Sequence, residues 1–554
     1  SREPLGAQGE WIHRLAPLEF PMTDTDNNNI AEAIRGFSSI QLFCERAKSV
    51  RNDFALNSDN YRVVVNICRQ LDGMPLAIEF AAARMNVMTA SAISEGLKKR
   101  FDLLTKGRRT AIPRHKTLRA TLDWSYDLLG ENARQVLNRL SVFRSTFDVS
   151  DARAVADGGN ISADAVFDEL FDLVEKSMLI PHLSNGEMHY RLLETTRQYA
   201  LEKLIASGEA KAVRQKHAQH ITALFSEVKD VWEGKVSRVR IDAKIGYLDD
   251  VRAAIDWALG GDGDITLGQG VLAASSPIWF YLSLPGEFIT HTRRFLGAVN
   301  YDGGCDRSFE LLAAYGHALW HKQGPGHEMR NAFEKALAIA HRINDDTLVL
   351  RAIWGIWAEL ILSGKYDESR VVANDFIARL CPNLGAGIHA GGLHMQALSS
   401  HFCGDHTAAL KYIEPVMKDE RSPDRNNAQF DRKVGVTSLL IRLKWYSGEP
   451  QEALKMARNC AQYALDLDHS LSICYGLSFG CIPVAIANGE YDLAANWISE
   501  LRRQARDKDL DHWGYFADGY QAAIEGHCNF PHASSKMQRD MFEVALSHRR
   551  AKAN

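Results

Sequence analysis

Four glycines recur at nearly constant spacing in the second half of this chain, and they constrain its fold more than any other feature. They lie in Ser363-Gly364-Lys365-Tyr366-Asp367-Glu368-Ser369, Cys403-Gly404-Asp405-His406-Thr407-Ala408-Ala409, Ser447-Gly448-Glu449-Pro450-Gln451-Glu452-Ala453 and Asn488-Gly489-Glu490-Tyr491-Asp492-Leu493-Ala494, at intervals of 40, 44 and 41 residues. Each glycine is followed five residues later by Ser or Ala, and Tyr366 and Tyr491 share one offset. A glycine that adopts the left-handed conformation ends one helix, and a small residue lets the next helix lie close against it. Spacing of this size marks stacked helical hairpins, so the pattern predicts an α-solenoid. Gln323-Gly324-Pro325-Gly326 is read as one further, degenerate turn.

The rest of the chain sorts by pattern. Residues 1–29 carry Pro4, Pro17, Pro21 and the polar run Thr23 to Asn29, which breaks regular structure and reads as a strand remnant and linker. Over 30–105 the apolar spacing becomes helical, with Ile40, Phe43 and Ala47 and then Val63, Ile67 and Leu71 on amphipathic faces, so a small helical domain is expected. Residues 106–206 read as a winged helix. Leu118, Leu122, Tyr126 and Leu129 share a face, helices follow from Glu131, from Ser150 and over Ala163 to Lys176, and one hairpin comes last. Its strands, Met178 to Leu183 and Met188 to Leu193, flank Ser184-Asn185-Gly186. Residues 207–305 form a helical bridge and 306–554 the solenoid, whose repeats are similar to TPR hairpins. The fold class is therefore mainly α, with one β-hairpin.

Composition narrows function mostly by exclusion. A net charge of −4 supplies no global field for nucleic acid or acidic membranes. Nine scattered cysteines without a C-x-x-C pair fit a reducing cytosol and no zinc ribbon. No apolar run of about 18 residues is evident, so no membrane association is expected. There is no GxxxxGK(S/T) phosphate loop, no H-E-x-x-H and no G-x-S-x-G, and convergent acid, base and nucleophile sets are missing. Ile245-Gly246-Tyr247-Leu248-Asp249-Asp250 mimics a magnesium-binding strand but is read as helix, and His217/His220 and His317/His321 as core or solvated histidines. In the winged helix the segment Ala163 to Lys176 sets Asp164, Asp168, Glu169, Asp172 and Glu175 against Lys176 alone, which would repel a phosphate backbone. That unit is expected to pack on protein.

Three ordered blocks carry a resemblance. Cys68 to Arg84 contains Gly73-Met74-Pro75, Arg114 to Leu129 contains Leu122-Asp123-Trp124-Ser125-Tyr126, and Arg191 to Ala200 reads RLLETTRQYA. Together they resemble the STAND class of signal-transduction NTPases, and more narrowly the bacterial predicted-ATPase regulators. The resemblance implies that Arg2 is the sensor arginine facing nucleotide phosphates. It implies too that Gly73-Met74-Pro75 is the lid turn whose Pro packs near adenine, and that His189 or Tyr190 stands where relatives hold the diphosphate, although the acid of their Met-His-Asp motif is missing. Such proteins place a phosphate loop and magnesium aspartate ahead of this lid. A chain beginning at Ser1 rather than Met is accordingly read as a piece of a longer protein. No catalytic or metal-binding residue is expected in it, and it should neither hydrolyse ATP nor bind it tightly alone. ADP or ATP with magnesium is expected only with the upstream loop, and DNA contact only through an N-terminal output domain.

The implied function is the regulatory part of a cytoplasmic transcriptional regulator, its solenoid sensing a protein or small-molecule inducer and supporting self-assembly. Trp320, Trp354, Trp357, Trp445 and Trp497 are the candidate anchors, against the expectation that most aromatics at helical spacing belong to the core. The rival reading is a scaffold with no nucleotide dependence.

Overall fold

A computed structural model of the chain describes residues 17–21, 36–51, 53–57, 60–99, 118–184, 186–226, 241–298, 306–380, 386–418, 430–526 and 536–553. They divide into two compact units, Ser1–His220 and Ile221–Asn554.

The first unit begins with four helices, Ser38–Val50, Tyr61–Gln70, Pro75–Ala83 and Ala90–Lys99. Ile40, Phe43, Ala47, Ile67, Ile78 and Ile93 are fully buried at their centre. Leu122 and Tyr199, from segments further along the chain, complete the same core. The winged helix follows. Helix Glu131–Leu140 leads to Val149–Ala156, whose start is fixed by a reciprocal pair of bonds between Asp148 and Asp151, and then to Ala163–Glu175, capped by Ser162. Strands Ile180–Ser184 and Glu187–Arg191 pair antiparallel from Ile180 opposite Arg191 to Ser184 opposite Glu187. Phe147 adds a short third rung by exchanging two backbone bonds with Tyr190, at 2.7 and 2.9 Å. Helix Glu194–Ala206 closes the domain.

In the second unit the repeat glycines behave as the spacing predicts. Gly364, Gly404, Gly448 and Gly489 all have positive φ, between 75° and 85°. Each turn closes with the same pair of bonds, for instance Gly364 N–H to Ile361 O at 3.0 Å and Lys365 N–H to Leu360 O at 2.9 Å. Ser369, Ala409, Ala453 and Ala494, five residues on, are completely buried where the second helix meets the first. Ile245–Tyr247 is a 3-10 turn leading into helix Leu248–Ala258, so the apparent metal-binding strand is helical.

Two features depart from the sequence reading. Where no apolar run of about 18 residues was evident in the sequence, one continuous apolar helix spans Ser470–Asn488, with a π-helical turn at Leu477–Cys481; its length and hydropathy suffice to cross a membrane, yet 89% of it is buried among the repeats as a core helix. The solenoid also closes on itself. Helix Asp306–Gln323 packs on Asp511–Glu525, where Lys322 pairs with Asp509 at 2.6 Å and Asp511 at 2.9 Å. The C-terminal helix Lys536–Ala553 lies against Ile482–Asn488 and Asp346–Leu362, and Tyr366 donates to Asp540 at 2.8 Å. Rings fill the seam: Phe430 stacks on Tyr475 at 4.1 Å, Tyr475 on Phe479 at 4.6 Å, and His321 on Trp513 at 5.8 Å. Along this seam the inner face of the superhelix is a packed core.

Candidate functional site: the Gly73 turn and its clasp to the winged helix

Helix Tyr61–Gln70 ends because two consecutive residues, Asp72 (φ 48°) and Gly73 (φ 65°), take the left-handed conformation and reverse the chain. Gly73 donates to Cys68 O at 3.1 Å and Met74 to Leu71 O at 2.9 Å. Met74 is extended, as a residue before proline should be, and Pro75 opens the next helix at its first turn, where its missing N–H costs nothing. Gly73 is obligatory for a second reason: a Cβ there would sit 2.0 Å from the carbonyl oxygen of Leu18. The segment 17–21 lies directly over this turn, with Leu18 N–H donating to Gly73 O at 3.0 Å, Ser39 Oγ donating to Glu19 O at 2.7 Å and Arg69 donating to Pro21 O at 3.2 Å.

The other side of the turn grips the winged helix. Helix Glu194–Ala206 starts after Leu193, which has no side-chain acceptor for the free N–H groups of the first turn. Asp72 supplies one from the small helical domain: its Oδ2 accepts the Glu194 N–H, and Arg191, at the end of the second strand, stands 3.8 Å from Oδ1. Thr195 Oγ1 donates to Met74 Sδ at 3.2 Å. Burial pushes the Asp72 carboxyl up to about 6, against the opposing pull of the Glu194 N–H and Arg191. Glu194 is itself clamped by Arg197, at 2.6 and 2.7 Å, and by Gln198; burial raises its carboxyl, but these donors leave it below the usual range. Arg197 also donates to Ser141 O at 3.2 Å, tying this corner to the winged-helix core.

The middle block joins the same assembly. Tyr199 OH donates to Asp123 at 2.7 Å, Tyr126 meets the Tyr199 ring edge-on at 5.5 Å, and Lys203 lies over both rings. The three blocks that carry the resemblance, far apart in sequence, thus converge on one contact between the small helical domain and the winged helix.

The candidate residues distribute unevenly. Gly73 is buried and Met74 half-buried in the clasp, and Pro75 is exposed. Tyr190 is buried in the winged-helix core against Phe147, with centroids 6.3 Å apart, which takes its ring away from the lid. His189, opposite His182 across the hairpin, is half-buried. Arg2 lies outside the described residues. Trp320, Trp357 and Trp497 are only 4 to 8% exposed, and Trp354 sits half-buried between Trp320 and Trp357, so these four serve the interior rather than a partner-facing surface. Trp445 lines a surface groove. Sequence reasoning missed Asp72, Arg191 and Glu194. The uncapped Leu193-Glu194 helix start was the available signal. Among the described residues no group of three or more His, Cys, Asp or Glu side chains could hold a metal. Helix Ala163–Glu175 shows solvent Asp164, Asp168, Glu175 and Phe171, an acidic and aromatic face.

Known proteins bear on this arrangement at three levels. Residues 129–205 match the winged helix-turn-helix domain family. Over 280 residues the chain is 39% identical to "Putative HTH-type transcriptional regulator Rv0890c" of Mycobacterium tuberculosis, an alignment covering 50% of this chain and 30% of the relative. Over 222 residues it is 39% identical to "Uncharacterized protein Mb0918" of Mycobacterium bovis, covering 40% of this chain and 53% of the other. The chain therefore spans only about a third to a half of the curated relatives it matches. Among solved structures, a STAND protein with a tetratricopeptide repeat sensor, PH0952 from Pyrococcus horikoshii, aligns over 93% of this chain and 73% of its own, at 13% identity and a TM-score of 0.39, too low to carry an argument. The chain is thus a mainly helical protein with a winged helix-turn-helix domain and a TPR-like solenoid. Over half its length it is homologous to proteins described as putative HTH-type transcriptional regulators, which supports a regulatory role.

Proposed function

We propose that this chain is the lid, winged-helix and sensor portion of a STAND-type transcriptional regulator whose phosphate loop is encoded upstream. The observation that carries the proposal is the Asp72 clasp. A lid carboxylate caps a winged-helix helix one residue before the Gly73-Met74-Pro75 turn, so any ligand that moves the turn also moves the winged helix. In this reading ADP under the lid holds the clasp shut, with Pro75 presenting an apolar face to the base and Arg2 and His189 near the phosphates. A signal on the solenoid releases it. DNA is contacted by an output domain ahead of the nucleotide-binding core, because the acidic face of Ala163–Glu175 opposes a phosphate backbone.

Nucleotide release from the intact gene product tests this. With Asp72→Ala the off-rate of a fluorescent ADP analogue should rise about tenfold, the worth of one buried charge-assisted bond. An unchanged off-rate would detach the clasp from the nucleotide.

A further inference from the structure

The helix Lys536–Ala553 departs from the repeat pattern that precedes it. The second helix of a hairpin packs on its own first helix and on the first helix of the next hairpin, as His406–Lys418 does on Ala386–Phe402 and Arg432–Tyr446. Lys536–Ala553 follows Asp511–Glu525 but also crosses back over the first helices of two earlier hairpins, Ile482–Asn488 and Asp346–Leu362. It meets them with one stripe. Met537, Met541, Phe542, Ala545 and Leu546 are at most 5% exposed, whereas Lys536, Arg539, Glu543 and Ser547 face solvent. Phe542 enters a socket. It meets Tyr520 edge-on at 5.0 Å and Phe516 at 5.9 Å, and it lies over Gly519, where a Cβ would come within 2.0 Å of its ring. Gln538 donates to His512 O at 3.2 Å, and Asp540 accepts from the Tyr366 hydroxyl at 2.8 Å.

Apolar anchors at helical spacing, seated in pockets of other elements, are how an amphipathic helix is recognised by a groove. Here the walls come from three hairpins, and one edge of the seat is open. Met541, Val544 and Ala545 share a surface groove with Trp445, Tyr446 and Pro483, and Val544 and Tyr446 are each 41% exposed. A helix buried on nearly every side, such as Ser470–Asn488, leaves its place only when the core comes apart. One held by a single stripe can be exchanged for another of the same make-up. We infer that this seat is a recognition groove for the amphipathic helix of a protein partner, one bearing Met and Phe anchors at the spacing of Met537, Met541 and Phe542, and that Lys536–Ala553 occupies it as an internal competitor. The inference deepens the sensor reading, on which it rests, by naming the chemistry of a protein inducer.

Two measurements on the full chain test it. In native-state hydrogen exchange the amides of Met541 to Leu546 should exchange about a hundredfold or more faster than those of Phe516 to Ala523, because the helix leaves its seat while the repeats stay folded. In fluorescence anisotropy a labelled peptide of residues 536–553 should bind the parent weakly, since the tethered helix competes at about millimolar effective concentration. It should bind the Phe542→Asp chain, whose own helix cannot enter the socket, at least about tenfold more tightly and one per chain. Asp540→Ala takes only the Tyr366 bond from the tethered helix and should tighten binding by about five- to tenfold, which decides the matter if Phe542→Asp fails to fold. Gly519→Ala, which fills the socket, should abolish peptide binding in either background. Exchange of Met541 to Leu546 only together with Phe516 to Ala523, peptide affinity unchanged from the parent in a folded variant, or binding that survives Gly519→Ala overturns the inference. A gene product that carries ADP but shows any of these results would lose this groove and keep the nucleotide clasp.

Discussion

Replacing Asp72 by Asn and by Ala should separate what its capping bond contributes from what its ionisation costs. Burial raises the Asp72 carboxyl to about 6 in the folded chain, from an ordinary value of 3.8. A carboxyl raised in this way binds its proton more tightly folded than unfolded. Its contribution to stability is complete below about pH 4 and is lost as pH rises through 6. The loss is about 3 kcal/mol at most by pH 7.5, from about two pKa units at 1.36 kcal/mol each. Asn keeps an oxygen that can accept the Glu194 N–H and removes the ionisation cost, though it gives up the 3.8 Å pairing with Arg191. Asp72→Asn should therefore raise the stability of the first unit at pH 7.5 by about 1 to 2 kcal/mol and flatten its pH dependence between 4 and 7. Asp72→Ala removes the same ionisation cost but leaves the helix start uncapped, so it should be about 1 to 2 kcal/mol less stable than Asp72→Asn at either pH. Amide hydrogen exchange over Glu194 to Tyr199 reads the clasp locally, and the variant-minus-parent difference at pH 4.5 and 7.5 cancels the titration of other carboxyls. If Asn destabilises as much as Ala, with the parent's pH dependence intact, the capping argument is wrong.

Further outcomes follow from particular contacts. Gly73→Ala combines a left-handed φ of 65° with a Cβ 2.0 Å from Leu18 O, and should cost more than about 2 kcal/mol, read as a lower melting temperature and faster proteolysis of the first unit. Trp513→Ala empties the seam where the superhelix closes and should cost about 3 to 5 kcal/mol. Trp445→Ala, at the groove, should cost well under half of that, and equal losses in chemical denaturation would contradict the packed seam. Ala494→Leu, at a fully buried repeat position, should cost about 1 to 3 kcal/mol by overpacking, seen in the same denaturation curves.

The repeat architecture was legible in the sequence because its determinants are local. A glycine at each turn and a small residue five positions later act within one hairpin, so Gly364 to Gly489 and Ser369 to Ala494 announce themselves without knowledge of the rest. The hairpin of the wing and the amphipathic faces around Ile40 and Ile67 are local signals of the same kind. The closure of the superhelix was not legible. It depends on Lys322 meeting Asp509 and His321 meeting Trp513 across nearly 200 residues, and no periodicity encodes that. Of the tryptophans named as candidate anchors, Trp320 meets Phe430 and Tyr475 across this seam, and Trp357 and Trp497 are buried too, as most aromatics at helical spacing were expected to be. The clasp falls between these cases. Gly73-Met74-Pro75 stood out through the family resemblance, whereas Asp72 acts only through a helix 122 positions away, and Arg191 acquires a role only where the strand ending at it comes within 3.8 Å of Asp72.

The nucleotide content of the intact gene product, purified without added nucleotide and assayed after acid release, tests the central claim most directly. The account predicts about one ADP per chain, reduced when Pro75 is replaced by Ala. A nucleotide-free protein, or an ADP content indifferent to Pro75, would contradict it.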